Sequence, residues 1–428
     1  MTNSTTSHFY HRIQPFAICL MAAFFYFYEF AQRVLPSAMQ SDLMMAFHIG
    51  AQGLGILASL FYYGYTPMQI PSGVLYDRFG PRILLTAAVF VCAFASLLFS
   101  MTHSFFLACA ARFLIGFASS FAYVGAVVLV GRWLPGKYFA FTVGLIQLMG
   151  SMGAIFGEAP FVTLVAKVGW RNSIVHMALV GFVLTLLFWL IIRDHPNNAA
   201  GRRLEEKRPH NNSRLLKMVT KNPQTWWTGL YVFCCWAPIP IFAELWGVPF
   251  LKELLGINTE AAAGALALIW VGTAIGGPAF GWWSAQLSRR KPPLITASII
   301  SLIASMIILY MPHPSWNLLY VTLFFYGFAA SAQAVSFGVV YDNIPPEAQG
   351  TAIGFNNMAS IASGLLLLPL VGFILNLFWA GVMSHGVPVY MISSYRVGLS
   401  AIPLCALVGL IVAIWGVKET HCKPQYNL

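Results

Sequence analysis

Charge is what this chain has least of. Only 9% of its 428 residues are charged, and Asp and Glu together number 13, against about 25% charged residues in soluble proteins. That deficit excludes a surface built to face water. A phosphate-cradling Gly-x-x-x-x-Gly-Lys-Ser/Thr loop is missing too, so pumping driven by a nucleotide is not expected. Six of the seven cysteines (Cys19, Cys92, Cys109, Cys234, Cys235 and Cys405) fall in apolar runs, and Cys422 lies near the C-terminus. None has metal-ligand spacing, so helix packing is the reading rather than a zinc or disulfide frame. With no catalytic constellation in view, the expectation is a protein that is not an enzyme and needs no cofactor or metal.

What is present is apolar residue in long runs. Hydrophobic types make up 58% of the chain, in runs of roughly 19 to 28 residues, each long enough to cross a hydrocarbon core of about 30 Å. The runs predict twelve spans. The first six cover 15–38, 52–75, 84–102, 105–131, 139–166 and 172–192; the rest cover 225–250, 262–286, 293–311, 317–341, 352–378 and 394–417. The first is too long for a signal-peptide core and lacks a cleavage pattern, so it is expected to be retained. Trp133, Trp170, Trp226, Trp283, Trp316, Trp379 and Trp415 mark run ends, as an interfacial aromatic belt does.

The net charge of +11 is a matter of placement. If the N-terminus is cytoplasmic, most Lys and Arg fall in cytoplasmic segments, which is the positive-inside signature and not a nucleic-acid footprint. The polar stretch 193–224, with Arg202, Arg203, Lys207 and Arg208, reads as a cytoplasmic linker. It divides the chain into a bundle at 1–192 and a bundle at 225–418, followed by a cytoplasmic tail at 419–428. The halves echo each other at an offset of about 210 residues, as parallel repeats do. Leu134-Pro135 and Val143-Gly144 return as Ile344-Pro345 and Ile353-Gly354, and Gly116-Phe117-Ala118-Ser119-Ser120 as Gly327-Phe328-Ala329-Ala330-Ser331.

Between spans two and three stands Gly73-Val74-Leu75-Tyr76-Asp77-Arg78-Phe79-Gly80-Pro81-Arg82. It resembles the cytoplasmic signature of the major facilitator superfamily. In that reading Gly73 allows close helix approach, Asp77 and Arg78 form ion pairs that close a gate, Gly80 makes the turn, and Arg82 is the basic end. The second half keeps only Gly281 and Arg289-Arg290 of this pattern. The opening of span four, Arg112-Phe113-Leu114-Ile115-Gly116, is similar to the superfamily's Arg-x-x-x-Gly pattern. Gly150, Gly153 and Gly157 form a small-residue face expected to pack between the halves. The resemblance implies an all-α membrane protein: twelve helices in two six-helix bundles about a pseudo-two-fold axis, working by alternating access.

Five ionisable residues lie inside expected spans: Glu29, Arg33, Arg112, Glu158 and Glu244. A charge at the bilayer centre costs about 2.5–3.5 kcal/mol even on a lenient scale, so each needs a reason. Glu29 and Arg33 are four residues apart and can pair on one helix face. Gln32-Arg33-Val34-Leu35-Pro36-Ser37 resembles the end of span one in anion:cation symporters, and Arg112 matches a second arginine of that group. Gln32 and Ser119 stand where those symporters have proton-carrying acids, which moves the expected proton site to Glu29 or Glu158.

A guanidinium holds a carboxylate bidentately. The resemblance therefore implies that Arg33, Arg112, Glu29 and Glu244 face a small anionic or zwitterionic solute. The buried amides Gln147, Gln333 and Asn356 and the ring of Tyr123, read from the residues alone, are expected to complete its site. Pro238 and Pro240 are expected to break or kink span seven. The expected function is proton-coupled import of an organic acid, amino acid or carboxylate siderophore by a monomer in a bacterial inner membrane, with both termini cytoplasmic. Alternative readings are a proton-antiport exporter of drugs or metabolites, and a solute sensor that does not transport.

Overall fold

The structure is a computed structural model that describes residues 3–134, 136–194, 212–384 and 386–425, without the side chains of 3–13, 74, 77, 136–141 and 212–213. Pro135, the linker basics Arg202, Arg203, Lys207 and Arg208, the side chain of Asp77 and the last residues of the tail therefore lie outside what is described. Among the described residues, eleven helices are long and apolar enough to span a membrane: Gln14–Ala38, Pro81–Met101, Phe105–Trp133, Thr142–Val168, Trp170–Ile191, Pro223–Leu255, Thr259–Leu287, Lys291–Tyr310, Trp316–Asn343, Pro346–Leu377 and Ile392–Gly416. The twelfth is span two. It follows Ala51–Tyr65, a tightened turn at Thr66–Gln69 and the helix Pro71–Phe79. The prolines at 67 and 71 withhold ladder donors, yet the joints at Thr66 and Ile70 keep right-handed helical angles. Ahead of it, Gln40–Phe47 meets this span at 108° and forms a corner at its start.

Glycine pairs show why the halves repeat. A methyl group on Gly116 would lie 1.9 Å from the Phe61 carbonyl oxygen, and one on Gly64 would lie 2.3 Å from that of Phe113. In the second half the same reciprocal contact joins Gly327 to Ile269 at 1.8 Å and Gly272 to Phe324 at 2.0 Å. Spans two and four, and spans eight and ten, thus cross with backbones touching, as small residues permit where lipid offers no hydrophobic drive. The halves also share a capping device. Asp194, after span six, accepts from the Arg82 N–H at 2.8 Å. Glu419, after span twelve, accepts from the Arg290 and Lys291 N–H groups at 2.7 and 3.0 Å. Each acid holds the first N–H groups of the third helix of its half. Gly80, at φ 76°, supplies the left-handed turn before Arg82.

Several expectations change. Span five is interrupted: helix ends at Gly157, Glu158 adopts φ −86° and ψ −110°, and Ala159–Val168 continues. Span seven is not broken at its prolines; it widens into a π-helical stretch at Ile239–Trp246 and runs on to Leu255. The face of Gly150, Gly153 and Gly157 packs on Tyr26, Phe27 and Val34 of span one, inside its own half and not between halves. A methyl on Gly73 would meet nothing within 4 Å, so the close approach expected there is absent in this conformation. Within the expected linker, Asn212–Lys221 is helical and seats Leu215, Met218 and Val219 against Val340, Ile344 and Phe355. The tail is docked, with Thr420 and Gln425 bonded to Asp342. Trp133 and Trp170 are buried, unlike the exposed Trp226 and Trp415, so the aromatic belt is partial.

Candidate functional site: a cavity between the halves

Contacts between the halves are dense at the end away from the linker. Gly372 meets the Ala51 carbonyl, Gly55 meets that of Leu368, and Gly364 meets the Tyr62 ring. A short hairpin, Met383–Ser384 paired with Val387–Pro388, stands beside them. From the loop after it, the Tyr390 hydroxyl accepts from the Ala51 N–H at 2.8 Å, capping the first turn of span two. Phe30 and Trp270 close edge to face, 5.8 Å apart.

On the linker side of this sealed zone lies a cavity of about 420 Å³. One half supplies Tyr26, Phe30, Arg33, Tyr65, Tyr123 and Gln147; the other supplies Trp236, Thr273, Gln333, Asn357 and Ser360. The polar wall on the second side is cross-braced. Gln333 donates to Ser360 at 3.1 Å, and Asn357 donates across the halves to Gln69 at 2.6 Å. Tyr26 donates to Gln147 at 3.4 Å. The indole N–H of Trp236 has no partner, which leaves a donor at the cavity wall.

Arg33 is the charged group of the lining. Its guanidinium carbon lies 4.3 Å from the Phe30 ring centre, 5.0 Å from Tyr65 and 5.3 Å from Phe61. Glu29 accepts from its Nε at 3.0 Å and from its Nη2, as the i to i+4 spacing predicts. The hydroxyl of Tyr62, itself beside Arg33, donates to Glu244 on the opposite half. One oxygen of Glu29 and one of Glu244 remain unpartnered. Four of the five intramembrane charges therefore form one connected group: Arg112 joins it through the backbone of span one, donating to the carbonyls of Gln32 and Arg33 at 2.9 and 3.4 Å. Glu158 stands apart at the break in span five, fully buried, with neither oxygen bonded.

The expected solute residues thus divide. Arg33, Tyr123, Gln147 and Gln333 line the cavity; Glu29 and Glu244 stand behind Arg33. Arg112 and Asn356 do not line it, and Asn356 instead donates to Ser336 at 2.8 Å. The neighbouring amide Asn357 and the indole of Trp236 take its place. Among the gate residues, Gly80 and Arg82 build the turn held by Asp194, with the Arg82 guanidinium over Trp189 at 4.3 Å, and Arg78 is exposed beside Phe79.

Twelve helical paths among the described residues, internally repeated and enclosing a mainly apolar cavity with a few polar groups between halves sealed at one end, define a membrane protein of two bundles. The comparisons give the family: the Major Facilitator Superfamily profile matches residues 18–367 and 246–424, and the chain belongs to that superfamily. Among relatives, "Uncharacterized transporter YybO" of Bacillus subtilis (strain 168) is 26% identical over 61% of this chain, and "Probable sulfoacetate transporter SauU" of Cupriavidus necator is 24% identical over 64%. These matches cover 63% and 64% of those proteins, just under two thirds of each. "Probable galactarate/D-glucarate transporter GudP" of Escherichia coli (strain K12) is 22% identical across 93% of this chain and 92% of its own. The fold matches a bacterial homologue of the human lysosomal transporter Spinster, in an inward-facing and unoccupied conformation, with TM-score 0.73, 16% identity and coverage of 94% and 95%.

Proposed function

We propose that this protein imports a small organic anion together with protons, exposing the central cavity alternately to the two sides of a bacterial plasma membrane. The observation that carries the reading is Arg33: a guanidinium on the cavity wall, caged by aromatic rings and backed by a carboxylate. It offers a planar fork to a carboxylate or sulfonate oxygen, and the relatives named above carry sulfoacetate, galactarate and D-glucarate in their names. Tyr123, Gln147, Gln333, Asn357 and Trp236 supply hydrogen bonds to the hydroxyl-bearing remainder.

Charge balance supports coupling to protons. The connected group holds Arg33 and Arg112 against Glu29 and Glu244, so an arriving anion adds an uncompensated charge. Two unit charges 4 Å apart interact by about 4 kcal/mol at an effective dielectric constant of 20, and protonating a carboxylate in the group removes that cost. Within the group Glu29 is the assigned proton acceptor; Glu158, outside it, is assigned as a second on its solitary burial. An unpartnered buried carboxylate carries its charge at a cost, as suits a group that exchanges protons when its surroundings change.

In this reading the linker side faces the cytoplasm, residues 1–192 and 225–418 move as bundles joined by 193–224, and the monomer is the working unit. Gly73, Asp77, Arg78, Gly80 and Arg82 form the cytoplasmic gate. Calorimetric titration of the purified protein with D-glucarate and sulfoacetate tests the site. Binding of one of them that weakens a hundredfold or so in Arg33→Ala, about 2.7 kcal/mol, supports it. Failure of wild type to bind either, or equal binding by the variant, rejects it.

A further inference from the structure

Arg112 is almost wholly buried and does not line the cavity. Its guanidinium donates to main-chain carbonyls of span one, Gln32 at 2.9 Å and Arg33 at 3.4 Å. The first of these is chemically special. In an α-helix the carbonyl of residue 32 receives the N–H of residue 36, and residue 36 is a proline, which has no N–H to give. A buried carbonyl left unpaired is costly. The Arg112 guanidinium stands where that missing donor is needed. The Gln32 side chain is meanwhile turned away from the cavity, donating to Tyr28 at 2.9 Å and Ser96 at 2.6 Å. Residue 33 is therefore fixed between two anchors, one through the backbone and one through the adjacent side chain.

We infer that Arg112 is a positioning residue: it replaces the hydrogen bond that Pro36 removes from span one, and so aims Arg33 into the cavity. The inference rests on the reading of Arg33 as the solute-facing cation. It assigns the second arginine a backbone partner in place of the solute. The nature of the gap provides its own repair, because Pro36→Ala restores an N–H to the Gln32 carbonyl.

The test is a cycle of wild type, Arg112→Ala, Pro36→Ala and the double variant, each checked for a monodisperse, cooperatively melting protein. The readout is affinity for D-glucarate and sulfoacetate. Arg112→Ala is expected to weaken binding about tenfold or more, the loss of roughly one charged hydrogen bond. Pro36→Ala alone is expected to bind like wild type, and the double variant to recover most of the loss. A folded double variant as weak as Arg112→Ala, or a folded Pro36→Ala that no longer binds, overturns the inference. Should wild type bind neither anion, the reading of Arg33 fails by itself. The cycle is then read without solute, as mixed-disulfide formation at Arg33→Cys by a charged methanethiosulfonate, with methanesulfinate leaving, followed by mass spectrometry of that peptide under non-reducing conditions. The same inference predicts slowing by Arg112→Ala and recovery with Pro36→Ala; absence of recovery again overturns it.

Discussion

Tyr62→Phe removes one oxygen atom and with it a hydrogen bond that joins the halves at the sealed end of the cavity. Glu244 would then have no partner for either oxygen, since its other oxygen is already unpartnered. The ring stays, so contacts with Gly364 and Phe61 persist. A hydrogen bond to a charged group is worth about 1.5–3 kcal/mol, which shifts a two-state population by about 10- to 150-fold. That loss falls on the conformation sealed at the hairpin end, because the proposed alternating-access cycle separates Tyr62 from Glu244 when that end opens. Spin labels at Gln52 and Leu377, both exposed on the hairpin side, would report the separation by pulsed electron resonance in a background with the native cysteines replaced. The long-distance population should rise at least tenfold in Tyr62→Phe, and less in Glu244→Gln, whose amide oxygen still accepts. A folded Tyr62→Phe protein with the wild-type distance distribution would refute the assignment of this bond as a gate contact.

Other outcomes follow from single groups. Gly116→Ala and Gly327→Ala force a methyl onto carbonyl oxygens at 1.9 and 1.8 Å; each should destabilise by about 1–3 kcal/mol or more, read as a lowered thermal midpoint. Arg33→Lys keeps the charge and loses the fork, so anion affinity in titration should fall by about tenfold. Glu158→Gln keeps the shape of the side chain and removes its titration; solute binding should persist while proton accumulation in vesicles is lost. Burial acts to raise the Glu419 carboxyl, but N–H groups of Arg290, Lys291, His421 and Thr420 prevail and hold it below its ordinary value. A depressed folded value means that its contribution is present above the ordinary range near pH 4.3 and is lost as pH falls through the folded value. The thermal midpoints of wild type and Glu419→Gln should therefore converge on acidification below pH 4; a gap that persists contradicts the cap.

Periodicity and composition carried the fold far because lipid forces each backbone to satisfy itself in a helix. Glu29 with Arg33 was legible for the same reason: a spacing of four is a local geometric fact. The cage around Arg33 was not, because Phe61 and Tyr65 come from another helix whose rotation the sequence does not state. Arg112 shows the limit of analogy, since residue type alone does not distinguish a cation that faces solute from one that faces a carbonyl. The signal was present in Pro36, four residues beyond Gln32. The break at Glu158 had a comparable sign in Pro160, which withholds its donor from Phe156. Span seven went the other way: two prolines were absorbed by π-helical widening, because neighbouring helices hold the path on both sides.

The most direct test of the account is proton movement in proteoliposomes with a pH dye in the lumen and the membrane potential clamped. D-glucarate or sulfoacetate added outside should acidify the lumen in wild-type vesicles, and not in empty vesicles or in those carrying Arg33→Ala. Uptake of the anion without acidification, or equal signals with Arg33→Ala, would contradict coupled anion import through the cavity.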